Sequence, residues 1–341
     1  MLLFPLLFLL LAVLGLKFIP CRSSSTLPLQ RDQAQSLRGL FAIEIMLGHL
    51  GIATNSFFLF PFRKAGILFV GCFFALSGYG LICGASKDAS YFSGYWKKRI
   101  QTFIIPALLV FFLNTVVYFS LGYISISEIP ITILTSKKVE LINWYVIEQF
   151  AFYFLFWLLY RKHTFWKAAN IILVVGSILF IVAAFFLRLK NPWYGSTLCF
   201  SLGILYAQNT KSIHQFITSN FVFIFITTTF LLFFSLIAFM MLPEGSFVGN
   251  VLFRTVASST FSLLTLVTLM HIRFGNAILF KIGSFSFEIY LLHPLFIFLF
   301  SSLISTPILF TCLVIFTTFV IAFLYHMCYH HIYNHIITQH N

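Results

Sequence analysis

Eleven runs of 17 to 24 mostly apolar residues dominate the sequence, near 1–20, 38–58, 66–83, 102–121, 143–160, 168–187, 192–208, 219–242, 250–271, 283–301 and 304–325. About 20 apolar residues suffice to cross a hydrocarbon layer about 30 Å thick. Continuous apolar runs of this length read as spanning helices. The expected fold is therefore all-α, a polytopic integral membrane helix bundle of about 10–11 transmembrane helices. The shortest run, 192–208, gives the weakest signal.

Only 9% of the residues are charged, against roughly a quarter in soluble domains. No stretch is polar enough to form a separate soluble domain, so the working parts must lie in the bilayer and its short loops. The net charge of +13 is scattered between apolar runs. No basic helix face or aromatic RNA motif accompanies it, which argues against a nucleic-acid partner. The basic residues read instead as topological signals. If the loops near 17–38, 84–101, 161–167, 209–218 and 272–282 face the cytoplasm, they hold fourteen Lys and Arg against seven on the other side. This predicts a multi-pass protein of the cell inner (plasma) membrane, with its N-terminus outside and its C-terminus cytoplasmic.

The first run lacks a basic leader and an A-x-A cleavage site, so it reads as a retained helix rather than a signal peptide. The six cysteines, including Cys21, form no CxxC pair and read as packing residues. The expected division is an extra N-terminal helix and loop (1–36), a main membrane domain (37–325) and a His-rich cytoplasmic tail (326–341). In that tail His326/His330 and His331/His335 have the i,i+4 spacing of metal ligands. No carboxylates support them, so no metal site is expected.

Within "LRGLFAIEIMLGHLG", residues 37–51, three ionisable groups interrupt an apolar helix. Arg38 and His49 are eleven residues apart, which at 1.5 Å and 100° per residue is about 16 Å of rise and a net turn near 20°. They share one face, with Arg38 at the membrane boundary and His49 near mid-depth, while Glu44 points elsewhere. Ionisable side chains at such depth usually face a bundle interior or a cavity and mark function. A fixed cation at the mouth and a titratable base inside suit a phosphate-bearing reagent reaching inward.

Five segments in order give this chain a resemblance. "LRGLFAIEIMLGHLG" resembles the first signature helix of the acyltransferase-3 family of membrane O-acyltransferases. "FVGCFFALSGYGL" (69–81), "KKRIQTFIIP" (97–106), "NWYVIEQFAFYF" (143–154) and "GSFSFEIYLLHPLF" (283–296) resemble its later segments. The resemblance implies transfer of an acyl group, commonly acetyl from cytoplasmic acetyl-CoA, to a hydroxyl of a cell-surface carbohydrate such as O-antigen, capsule or exopolysaccharide. The implied partners are an acyl-CoA donor, a carbohydrate or lipid-linked glycan acceptor and the bilayer, with no permanently bound cofactor. One departure stands out. Many relatives carry R-x-x-R where this chain reads Arg99-Ile100-Gln101-Thr102, and neighbouring lysines lack the bidentate fork of arginine.

On this reading Arg38, Lys98 and Arg99 hold CoA phosphates. His49 acts as general base or carries the acyl group itself. His293 lies ten residues from Gly283, about 15 Å into its helix and so at a depth similar to His49. It either orients substrate, bonds the oxyanion or packs beside Pro294. Tyr290, one turn earlier, is placed on the same face. Trp144, Tyr145 and Glu148 are expected to contact the acceptor, with an interfacial aromatic anchor as the plainer alternative. Glu44 and Glu288 are expected to pair with donors on neighbouring helices, and Ser77 to serve helix packing beside Gly78. The competing reading from another class is a polytopic secondary transporter of a small solute, which also places polar groups at mid-depth.

Overall fold

The structure is a computed structural model describing residues 1–18, 29–130, 132, 141, 144–242, 246–269 and 272–339. Cys21, Arg22, Lys137, Lys138 and His340 lie outside the described residues. Each of the eleven apolar runs contains a helix among its described residues. In chain order the helices are α1 (Leu3–Leu14), α2 (Arg31–Thr54), α3 (Phe60–Lys87), α4 (Tyr95–Ser120), α5 (Trp144–Tyr160), α6 (Trp166–Phe186), α7 (Leu198–Gln208), α8 (Thr210–Met241), α9 (Arg254–Thr268), α10 (Ala277–Ser284), α11 (Ser286–Ser301) and α12 (Pro307–Gln339). Seven are long and apolar enough to cross a membrane, counting short flanking turns. The pair α10–α11, bent by 71°, forms an eighth candidate span, and α1, α5 and α7 are shorter apolar helices.

At both ends the helix bounds differ from those of the apolar runs. The run at 1–20 is helical only through Leu14, about 18 Å of helix. The chain then becomes extended and Leu16–Phe18 (β1) pairs antiparallel with Ile272–Phe274 (β2). At the other end residues 326–339 continue α12 as helix. Among the described residues no group of three or more metal-ligating side chains occurs, and Cys72, Cys83, Cys199, Cys312 and Cys328 are free.

Local chemistry sets where α2 and α10 begin. The Gln30 N–H donates to the Gln33 side chain, a reciprocal cap at the start of α2 that occupies backbone donors the first turn leaves open. Asn276 caps α10 by accepting from the Leu279 N–H at 2.8 Å. The Gln33 and Gln35 side chains donate to the carbonyls of Ile272 and Phe280. These bonds and the β1–β2 ladder tie the start of α2 to the start of α10 at one end of the bundle.

Close backbone approach fixes the crossings that matter for the site. A side chain at Gly283 would collide with the Gln35 carbonyl, and one at Gly203 with the Ala75 carbonyl. Small residues here let α2 meet α10, and α3 meet α7, without an intervening layer. Aromatic rings fill the interior beyond, with Phe152 stacked on Phe200 at 4.4 Å between α5 and α7. α7, only 11 residues long, is almost wholly enclosed. α8 instead turns most of its length outward.

Candidate active site

At the end of the bundle where α2 meets α10, a cavity of about 250 Å³ opens between α2, α3, α4, α5 and the α10–α11 break. Arg38 and Arg99 are the basic groups lining it, and among the described residues no carboxylate does. Ser284 and Ser286 reach its wall because the chain bends at Phe285, whose backbone leaves the helical region (φ −122°, ψ 25°). Arg99 sits where α4 widens into a π-helical stretch, Ile100–Ile104, a local distortion often found at functional sites.

Arg99 is held rather than loose. Its guanidinium lies 5.2 Å from the Tyr95 ring and 4.9 Å from the Tyr153 ring, and donates to the Tyr91 hydroxyl at 3.0 Å. Its Nε is buried without a partner among the described residues. A half-buried, oriented cation, in a cavity lined by no carboxylate among the described residues, suits an anion.

The inner wall of the cavity is polar and aromatic. The Gln149 amide donates to the Ser77 Oγ at 3.0 Å, and the Tyr145 hydroxyl donates to the Gln149 Oε1 at 3.4 Å. The Tyr145 and Tyr290 rings meet edge to face at 4.9 Å. Tyr290 in turn stands 6.0 Å, ring to ring, from His293. Behind it His49 Nδ1 and His293 Nε2 are 2.6 Å apart.

That pair has a defined direction. His293 Nδ1 lies 3.0 Å from the Ile289 carbonyl, which can only accept, so Nδ1 carries the hydrogen. With both rings neutral, His293 Nε2 is then an acceptor, and His49 Nδ1–H must donate to it. His49 Nε2 is left with its lone pair, which makes it a base. The tautomers follow from the bonding pattern and not from observed hydrogens.

The residues singled out in the sequence fall into separate places. Arg38, Arg99, Tyr145 and Tyr290 line one cavity, and His49 and His293 meet just beyond it, as their similar depth predicts. Lys98 is exposed and does not line the cavity, whereas Thr102, standing where relatives place a second arginine, does. Trp144 is half-buried against Phe74. Glu148, 6% exposed, lies on another face of α5, where it accepts from the Thr197 hydroxyl at 2.7 Å. Trp144 and Glu148 therefore do not join Tyr145 at the cavity.

Glu288 pairs with a neighbouring helix as expected, through His326 at 2.8 Å. Glu44 does not, since both carboxyl oxygens are buried without a partner among the described residues. Ser77 lines the cavity as well as adjoining the packed Gly78. Gln149 and Tyr153 escaped the sequence reading. The signal was present: Tyr145, Gln149 and Tyr153 recur at i, i+4 and i+8, a polar stripe along an otherwise apolar helix.

The acyltransferase domain family model matches residues 33–327, which covers the cavity, the histidine pair and nearly all the helices. No curated protein and no solved structure matches the chain. A family match of this extent, on a bundle of apolar spanning helices, decides between acyltransferase and transporter: the chain belongs to the acyltransferase-3 family and is a multi-pass membrane acyltransferase.

Proposed function

We propose that this protein transfers an acyl group, acetyl in the simplest case, from acyl-CoA to a hydroxyl of a cell-surface carbohydrate. The observation that carries the reading is an acid-free cavity with Arg38 and Arg99 in its walls, ending at Tyr290 with the His49–His293 pair directly behind. The arginines take the anionic phosphates of the donor at the basic end of the bundle. Gln149 and Ser77 offer hydrogen-bonding groups to the amide-bearing arm that carries the thioester inward.

The chemistry then falls to His49. Its Nε2 removes the proton from the acceptor hydroxyl as the oxygen attacks the thioester carbon, forming the C–O bond and a tetrahedral oxyanion. Collapse of that intermediate breaks the C–S bond, and the proton on His49 Nε2 passes to the departing thiolate. The products are the ester and free CoA, with His49 restored. His293 is a positioning residue in this scheme: it holds His49 in the tautomer whose Nε2 is basic, and touches neither substrate. The excess of basic residues on one set of loops supports donor binding from the cytoplasm, and an acceptor of the kind the family resemblance implies supports action at the plasma membrane.

The test uses membrane vesicles containing the full chain, radiolabelled acetyl-CoA and the glycan fraction of the producing cell. Label entering the glycan as an alkali-labile ester is the expected result. Surface glycan whose acyl content is the same by mass spectrometry with and without the gene overturns the assignment of acceptor. Uptake of a solute without any need for CoA overturns the reaction itself.

A further inference from the structure

α5 runs toward the end of the bundle that carries Arg99. Tyr145 meets Tyr290 beside the histidine pair, whereas Tyr153, two turns on, lies against Arg99. Arg161 is eight residues further, about 12 Å, which brings it to the membrane surface. There a cavity of about 260 Å³ is lined by Arg161 and Lys162 from the turn between α5 and α6, and by Leu158, Leu159, Ala169 and Ile172 from the two helices. We propose that this turn is the headgroup site of one anionic phospholipid, whose phosphate binds Arg161 and Lys162 and whose acyl chain runs inward between α5 and α6. The inference does not rest on the acyl-transfer reading, because α5 stands between this groove and the donor cavity. Tyr145, Gln149 and Tyr153 line the donor cavity, whereas Leu155 and Leu159 line the groove.

Charge complementarity selects the head. Arg161 and Lys162 are exposed, and among the described residues no carboxylate lines the cavity beside them. The Arg161 guanidinium stands 5.2 Å from the Trp157 ring, a contact that orients the cation. The turn beneath it is fixed as well. Trp166 Nε1 donates to the Tyr160 carbonyl at 2.8 Å, and the Tyr160 hydroxyl donates to Asn170 Oδ1 at 2.6 Å. Trp157, Tyr160 and Trp166, with Trp96 at 5.9 Å from Trp157, form the aromatic band that marks headgroup level.

The space behind the turn selects the tail. Leu159 and Ile172 line this cavity and also a second, about 340 Å³, which continues inward between the same helices past Leu155 and Gly176. It ends at Glu148, eleven residues or about 16 Å from Leu159, close to the depth of one leaflet in a hydrocarbon layer about 30 Å thick. Leu155, Ile172 and Phe180 at its edge are exposed on the outside of the bundle. In a spanning protein that outside is lipid, so a chain enters from the side. The Thr197 and Ser177 hydroxyls are spent on Glu148 and the Leu173 carbonyl, and the rest of the wall is mostly hydrocarbon. At Gly176 an added Cβ would meet nothing within 4 Å. A basic head site at the surface, leading into an apolar slot one leaflet deep, has the shape and polarity of a single phospholipid.

The experiment reconstitutes the full chain in phosphatidylcholine vesicles holding a trace of phosphatidylglycerol or phosphatidylcholine with a photoreactive group near the end of one acyl chain. Both probes carry the phosphate, but the fixed positive charge of choline opposes two bases. Mass spectrometry then maps the labelled peptides. The expected result is labelling concentrated on α5 and α6, stronger for phosphatidylglycerol by about fivefold for each of the two basic residues. The preference fades in about 1 M salt, which screens charges within a few ångströms. Arg161→Gln combined with Lys162→Gln, both on an exposed turn, brings the phosphatidylglycerol signal down to the phosphatidylcholine level. Lys211→Gln, at the start of α8, leaves it unchanged. Gly176→Phe fills the slot and removes the α5–α6 labelling by both lipids. Equal labelling by the two lipids in the parent, or a preference that survives the double substitution or falls equally with Lys211→Gln, overturns the head site. Labelling spread evenly over the exposed helices, or unchanged by Gly176→Phe, overturns the path given to the chain.

Discussion

Replacing His293 by phenylalanine isolates the role of the histidine pair. The imidazole is fully buried and makes two contacts, Nδ1–H to the Ile289 carbonyl at 3.0 Å and Nε2 to His49 Nδ1 at 2.6 Å. Phenylalanine keeps the ring and its packing but removes the acceptor. His49 Nδ1–H then loses its partner in the interior, a cost of about 1–3 kcal/mol. His49 escapes that cost by rotating or by moving its proton to Nε2, and either response withdraws the base. A penalty of that size corresponds to a fall in kcat of about 5- to 150-fold. The KM for acyl-CoA stays near the parent value, because Arg38 and Arg99 are untouched. Glutamine at position 293 retains an oxygen that accepts from His49, so His293→Gln should recover part of the loss. The assay is transfer from labelled acetyl-CoA in reconstituted vesicles, with protein amount matched by immunoblot. A kcat for His293→Phe within twofold of the parent, or equal loss in the phenylalanine and glutamine variants, refutes the reasoning.

Further outcomes follow from the same geometry. Arg99→Lys should raise the KM for acyl-CoA nearly as much as Arg99→Ala, by about tenfold or more, because an ammonium cannot reproduce a planar fork between two tyrosine rings; steady-state kinetics with varied donor checks it. Thr102→Arg restores a second arginine to the cavity wall and should lower that KM in the same assay. Glu44→Leu should leave the melting temperature in detergent unchanged or raised, since it removes a buried carboxyl with no partner among the described residues in favour of an apolar group. Gly283→Leu should lower it markedly, because the new side chain forces α10 off the Gln35 carbonyl, at a cost of about 1–3 kcal/mol.

Hydropathy revealed the helices because the bilayer imposes one rule on every span: a long apolar run with its hydrogen bonds made internally. The same rule explains the weak signal at 192–208. α7 is enclosed by other helices, not lipid, and needs neither full length nor uniform apolarity. Helical periodicity placed Arg38 and His49 on one face and set His293 at matching depth, since each inference depends only on local geometry. The contact between the two histidines is not local. It joins positions 244 residues apart, on helices brought together where α10 packs closely against α2 at Gly283 and leads into α11. Gln149 with Ser77 and Glu288 with His326 are likewise pairs between helices, invisible to any pattern along one of them. The break at Phe285 was hidden for another reason. Pro294, the obvious helix breaker, lies within α11, while the bend occurs nine residues earlier. β1–β2 escaped notice because three-residue strands carry no usable periodicity.

The central claim is that His49 Nε2 is the base that moves the proton during acyl transfer. Its most direct test is the single-turnover rate of acetyl transfer by His49→Ala, with the protein reconstituted at the same density as the parent and shown to bind acyl-CoA equally. The account predicts a fall of about 10²-fold or more, the usual worth of a positioned general base, with donor binding intact. A His49→Ala protein that transfers acetyl at the parent rate contradicts it.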